Sequence, residues 1–394
     1  MEEILAEVVE VPKKILRPLS LYLWFLMLRM PRHDLTSASE VMDCSKASFS
    51  RMLNDDLALP AVKSLLNRAA RRALQCLSGG KQTIYLIIDA TIVGRRSKNV
   101  ENIGLHHSGK GLVRGHKFIN FVLMVGDKPV PLSSIAHYSE DYCLSKGVDY
   151  KSEITLVMEW INWLHASGLF EKSDLKRLHI LADSFYDAKK LQHAITRIGA
   201  HFTMAIRSSR CIDGVAVTEY FRCHRHIPWE TIRLSSGSGS KGKRREYRIR
   251  GAANVKLKGF GRVHVVCSEK SGKTTKTKKY LITSDRRLSY RDIVKNYRMR
   301  WQIEVWHKKM KQEYGFLDCH SPKFAAIEVH VNIALAAFLM QTHIQQGMPK
   351  AGTAGSEFVA SKKFKEVGRI INLFGNRDRL KDLVAAEQQR LLAA

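Results

Sequence analysis

The sequence predicts an α/β protein. A mixed-sheet core is interrupted by a β-rich insertion and flanked by helical N- and C-terminal regions. Three observations carry this expectation. Short apolar, β-branched runs alternate with helical periodicity between residues 83 and 206. Two of those runs end on an acid, Asp89 and Asp183. From 207 to 279 the texture turns to Gly, Ser, Lys and Arg with short alternating runs, after which an apolar strand and two helices resume.

The first 80 residues read as helical. Residues 19–28 (LSLYLWFLML) are apolar apart from Ser20 and lie between Arg17 and Arg29. This run is too short for a bilayer, which takes about 20 residues. The acids Glu2, Glu3, Glu7 and Glu10 before it do not fit a signal peptide. A buried helix is expected, and nothing else in the chain approaches a span. Residues 36–53 read as two short helices joined at 43–45, with Ser45 capping the second. As a helix-turn-helix this would turn Lys46, Ser48, Ser50 and Arg51 toward DNA. An ordinary helical hairpin accounts for the pattern equally well.

Residues 83–88 (TIYLII) read as a buried strand ending on Asp89, and 118–125 and 129–138 as two more. Helical period follows over 152–166. LHILAD (178–183) is a strand ending on Asp183, 187–198 a helix and 201–206 a strand. In the insertion, KGKRREYRIR (241–250) holds Lys243, Arg244 and Arg245, and KSGKTTKTKK (270–279) has lysines and no acid. A solvated hairpin would explain such loops, but the charge of the whole chain favours nucleic-acid contact. A strand at 280–285, a long helix over 290–314 ending at Gly315 and an apolar helix near 323–342 complete the core. The divisions are 1–80 (helical, DNA-binding), 81–206 (first part of the core), 207–279 (basic insertion), 280–345 (second part of the core) and 346–394 (helical).

Composition narrows the function. Lys and Arg number 65 against 37 Asp and Glu, a net charge of +28. Such a surface attracts a polyanion and argues against a small neutral substrate. The seven cysteines are scattered, with no CxxC, so no disulfide framework is expected and a reducing cytoplasm fits. Cys223, His224 and His226, with Cys211 upstream, match no common zinc spacing. Free thiols and surface histidines are the simpler reading.

The 290–314 helix carries the sharpest signal. At about 100° per residue, Tyr297, Arg300, Glu304 and Lys311 point within one narrow face. Met299, Ile303, Trp306 and Met310 form an adjacent apolar stripe. A solvated face with Arg300–Glu304 pairing is the plain alternative. The spacing Y-(2)-R-(3)-E-(6)-K, in the text YRMRWQIEVWHKKMKQEYGF, resembles the YREK signature of DDE-type insertion-sequence transposases. These are bacterial cut-and-paste enzymes, in the family numbered four. DAT at 89–91 and ADSFYD around Asp183 fall where that family puts its other acids, and the resemblance covers about 83–315. Some relatives have a second acid directly after the first Asp, where this chain has Ala90.

The resemblance implies an RNase H-like core with Asp89, Asp183 and Glu304 as catalytic metal ligands. It implies two Mg²⁺ ions, with Mn²⁺ able to substitute. Hard cations take carboxylate oxygens, and two of them about 3.5–4 Å apart stabilise both the attacking and the leaving oxygen at phosphorus. The resemblance also assigns Tyr297, Arg300 and Lys311 to terminal phosphates and Trp229 to a flipped base, against a core Trp of a small sheet. Arg95 and Arg96, with His106, His107 and Lys98, read as a DNA-binding loop, and His-driven hydrolysis as the weaker alternative. Of the competing acids, Asp187 is expected to cap the next helix, and Glu313 points away from the quartet. The implied partners are double-stranded DNA (terminal inverted repeats and target) and a second copy in the synaptic complex. No membrane is implied, and the location would be the cytoplasm, on the bacterial nucleoid. Two other readings compete: a catalytically inactive transposase-derived repressor, and an RNase H-like nuclease or resolvase without strand transfer.

Overall fold

A computed structural model describes residues 12–28, 30–75, 82–97, 99–108, 111–126, 128–235, 244–270 and 278–347. Lys243, the Arg244 side chain and the expected 346–394 helical region, save its first two residues, lie outside them.

The N-terminal part is helical, with α1 (Lys13–Met27), α2 (Leu35–Val41), α3 (Lys46–Leu53) and α4 (Ala58–Gln75). Leu19, Tyr22, Leu23, Phe25 and Leu26 of α1 are buried, as the 19–28 run predicts. Asp34 caps α2 through Ser37 N, and Ser45 caps α3 through Ser48 N. The central elements are β1 (Ile84–Gly94), β2 (Gly104–Ser108), β3 (Gly111–Val125), β4 (Lys128–His137), α5 (Glu140–Lys146), α6 (Glu153–Ala166), α7 (Lys172–Leu175), β5 (Leu178–Ala182), α8 (Lys189–Arg197) and β6 (His201–Ile206). The insertion holds β7 (Cys211–Ile212), β8 (Val215–Ala216), α9 (Val217–Cys223), β9 (Glu230–Ser235), β10 (Arg244–Leu257) and β11 (Gly261–Lys270). β12 (Lys278–Thr283), α10 (Tyr290–Met299), α11 (Trp301–Glu313) and α12 (Phe324–Gly347) follow.

The twelve strands among the described residues join one mixed sheet with the path β2-β3-β1-β5-β6-β12-β11-β10-β7-β8; β4 pairs with β3 and β9 with β10. β1, β5 and β6 are parallel, and the other pairs are antiparallel. The insertion therefore does not form a sheet of its own. It lengthens the core sheet, because β12 returns beside β6 and carries β11 and β10 with it. A large hydrophobic cluster contains α1, the central strands, α11 and α12. A smaller one seats Ile293, Val294 and Tyr297 of α10 on Ala205, Ile232, Leu234, Ile249, Val266 and Leu281.

Four expectations need correction. The β1 strand does not end at Asp89. Thr91, Ile92 and Val93 extend it, pairing with β3 as far as Gly94↔Gly115. The 290–314 helix is broken at Arg300, where bonds to Tyr297 O and from Ile303 N tighten the turn to i,i+3 spacing. Asp187 does not cap α8. Ala188 holds the cap position, and the Asp187 carboxylate accepts from Gln192 Nε2 at 2.8 Å. Finally, residues 19–28 are not the longest apolar stretch. Phe324–Gln341 has a mean hydropathy of 1.5, long and apolar enough to cross a membrane by composition. It is 89% buried inside the protein, against α1, α4 and β4, and carries buried Glu328, His330 and Asn332. Burial on all sides gives a core helix the same composition as a span.

Candidate active site

The sheet register brings the two strand acids together. Ile87 of β1 pairs with Leu181 of the parallel β5. Asp89 and Asp183 each follow two residues later, at one level on neighbouring strands. Alternation puts Tyr85, Asp89, His179 and Asp183 on one face. α10 covers that face, as the bond from Tyr85 Oη to Asn296 Oδ1 (2.7 Å) fixes. Asp183 also caps the short 184–186 turn, accepting from Phe185 N at 2.9 Å. Beneath it Tyr186 donates to Glu153 Oε1 (2.6 Å), and Lys117 donates to Glu153 Oε2 (2.5 Å), so the buried Glu153 ties the turn to β3.

The helical residues approach from above. The Arg300 guanidinium lies 3.6 Å from Asp89 Oδ2 and 2.5 Å from Glu304 Oε1. A cation thus sits between two of the three acids. Burial raises Asp89 from its ordinary value to about 7, Arg300 opposes that, and Asp183 and Glu304 add to it. Desolvation alone would lower Arg300, but Asp89, Tyr297 and Glu304 outweigh it and leave it raised. Burial lowers Lys311 against the pull of Asp89, which places this fourth residue in the same field. Tyr297 is buried, its phenol raised by desolvation. Tyr297, Arg300, Glu304, Lys311 and the two strand acids therefore share one neighbourhood. Among the described residues, no three His, Cys, Asp or Glu side chains stand close enough together to hold a metal ion as placed. The donor set is nonetheless the hard-oxygen type that Mg²⁺ takes, with Arg300 occupying the space between Asp89 and Glu304.

Sequence reasoning missed three residues here. Asn120 pairs with Asp89 across β1 and β3 and is fully buried. Its Nδ2 donates to His307 Nε2 at 3.0 Å. That bond leaves the proton on His307 Nδ1, 3.9 Å from Asp89 Oδ2. Burial pushes His307 down to about 3, so a neutral imidazole backs Asp89. His307 falls three residues after Glu304, on the same side of α11, and that spacing was the available signal. The third is Lys279, whose Nζ lies 5.2 Å over the Tyr297 ring. Desolvation and Arg300 lower its ammonium, while Glu304 and Asp183 raise it.

The remaining candidates lie apart. The Arg95 guanidinium turns inward to His116 Nδ1 (3.3 Å) and Leu317 O (3.2 Å), whereas Arg96 is exposed. Trp229 is half-buried, with the guanidinium carbons of Arg248 and Arg250 at 4.8 and 4.6 Å from its ring. Arg245 is exposed on β10. Lys46 and Arg51 are exposed on α3 and donate to Thr36 and Ser48. The Cys223 thiol lies 3.1 Å from Glu219, and His224 bonds Tyr220 O, so that cluster does not converge.

Residues 150–340 match the family described as Transposase DDE domain. The match supports a DDE transposase. Transposases of this kind bind DNA and generally use a divalent metal. The matched segment contains Asp183, Tyr297, Arg300, Glu304 and Lys311; Asp89 precedes it and joins through the β1–β5 pairing. Comparison with curated proteins finds no match.

Proposed function

We propose that the chain is a DNA transposase of the YREK type, in the insertion-sequence family numbered four. It would cleave at the terminal repeats of its own element and join the 3′ ends to target DNA. The observation that carries this reading is the level placement of Asp89 and Asp183 on parallel strands, with Glu304 and Arg300 facing them from one helix break.

Asp89, Asp183 and Glu304 are the residues that would hold divalent ions, Mg²⁺ or Mn²⁺, in an RNase H-like core. Bound there, such ions would lower the pKa of an attacking water or 3′-hydroxyl and neutralise charge at phosphorus. The protein's own residues supply the rest. His307, held neutral by burial and oriented by Asn120, backs the Asp89 carboxylate from the interior. Arg300 and Lys311 bring two cations to the phosphate, and Tyr297 forms the wall beside them. Exposed Arg96, Arg245, Lys46 and Arg51, with Lys243 and Arg244 of the same basic stretch in the sequence, would supply cations to duplex DNA, and Arg95 anchors the loop that carries Arg96. Trp229, flanked by two guanidinium groups, offers a flat face to an unstacked base. The active complex would pair two copies on two ends, on the nucleoid in the cytoplasm.

The test uses a labelled duplex ending in the element's terminal repeat, a supercoiled target and Mg²⁺. Cleavage at the boundary with a joined product, absent from Asp89→Ala protein, supports the reading. Cleavage without joining would indicate a nuclease, and binding without cleavage a repressor.

A further inference from the structure

We propose that Lys279 contacts a backbone phosphate of the bound DNA strand beside the acids, a positioning role that depends on its seat over Tyr297. The proposal rests on the transposase reading of the site. Lys279 lies at the start of β12, the strand by which the chain returns from the insertion. Tyr280 pairs with Ile206, and Ala182 pairs with Met204. Lys279 therefore overhangs the edge where the parallel strands end at Asp183. Leu281 packs with Val294 and Tyr297 in the cluster under α10. Strand alternation puts Lys279 on that same face, two residues nearer the edge.

Three features then combine. The Tyr297 ring, 5.2 Å from Nζ, orients the ammonium. Among the described residues no carboxylate pairs with it, although Asp183 and Glu304 are within its electrostatic reach. The residue is exposed, so an incoming chain can reach it. Arg300, by contrast, is already engaged by Asp89 and Glu304. A compact point charge held by an aromatic face near Asp183 and Glu304 suits one anionic phosphate oxygen.

The test measures binding of full-length protein to the element-end duplex in EDTA. Single methylphosphonates replace each phosphate flanking the element boundary in turn. Lys279→Ala should weaken binding of the native duplex about tenfold, the scale of a hydrogen bond to a charged group. It should reduce the slope of log K against log salt by about 0.9. Lys279→Arg should restore both, and Lys128→Ala, an exposed lysine of β4 beyond the end of β1 away from Asp89, should change neither. At one methylphosphonate position the Lys279→Ala penalty should vanish. An unchanged salt slope, or an equal penalty at every position, overturns the proposal. Wild-type cleavage in Mg²⁺ with no Lys279 effect rejects Lys279 alone. Wild-type binding without cleavage rejects the transposase reading and leaves the Lys279 comparison decisive. Failure of the wild type to bind the duplex rejects both.

Discussion

Replacing Asp89 with Asn should remove a pH-dependent penalty from the metal-free protein. The Asp89 side chain is 17% exposed. Burial is the largest cause holding its carboxyl near 7 instead of 3.8, with Asp183 and Glu304 adding to it and Arg300 opposing. The folded value exceeds the unfolded one, so the folded protein keeps a proton that the unfolded chain has lost. Stability therefore falls as pH rises from about 4 to about 7 and is flat above. A gap of about three pH units corresponds to about 4 kcal/mol at full ionisation. Asn carries no such penalty. The Asp89→Asn protein should match the wild type near pH 4 and exceed it by up to about 4 kcal/mol near pH 8. Urea unfolding in EDTA across that range measures the difference, and charges elsewhere cancel between the two proteins. Mg²⁺ should flatten the wild-type dependence, because a bound cation favours the ionised carboxylate. A wild-type minus Asn difference that stays constant across this range would refute the account of Asp89 as a crowded, desolvated acid.

Three further outcomes follow from the same geometry. Glu304→Ala should lower element-end cleavage by on the order of 10²–10³-fold or more, the scale for losing one preorganised electrostatic group, while electrophoretic mobility shift still reports DNA binding. Glu153→Ala strips Lys117 and Tyr186 of their shared buried partner and should cost about 3 kcal/mol in urea unfolding, the low end for breaking a buried pair because Lys117 is part-exposed. Gly315→Ala should lower the thermal midpoint and cost at least about 1–2 kcal/mol, because Gly315 has φ +61° and an added Cβ would meet His33 Cβ at 2.1 Å.

The elements legible in the sequence were those with strong periodicity. HFTMAI was read as a strand over 201–206, and β6 has those bounds. Ser45 was read as a helix cap, and its side chain accepts from Ser48 N. Tyr297, Arg300, Glu304 and Lys311 read as one face of a continuous helix, but the break at Arg300 divides them between two helices. What escaped depends on long-range pairing. Asn120 meets His307 only because β3 pairs with β1 and α11 packs above both. Lys279 reads from the sequence as part of a basic loop, since nothing local shows that β12 starts over Tyr297. The continuity of the insertion with the core sheet was equally hidden, because strand order is not written in strand composition. Phe324–Gln341 is easily undervalued because its buried polar residues break the apolar run, although tertiary bonds satisfy several of them: His330 with Tyr22 and Gly315, and the Asn332 side-chain nitrogen with Ser134 O.

The break at Arg300 is best understood from what lies on either side of it. α10 packs Ile293, Val294 and Tyr297 into the smaller cluster, on strands of the insertion and on β6 and β12. α11 packs Ile303, Trp306 and Met310 into the main cluster. The tight turn at Arg300 separates the two packings, and its i,i+3 bonds keep the backbone paired there. Arg300 therefore stands between a helix seated on the smaller cluster and one seated on the main cluster. From that position its guanidinium reaches Asp89 below and Glu304 one turn onward. Tyr297 stays on the insertion side with Lys279 above it. The candidate site is thus the joint between core and insertion. This explains why acids from the β1–β5 pair and a cation from β12, distant in sequence, share one small volume.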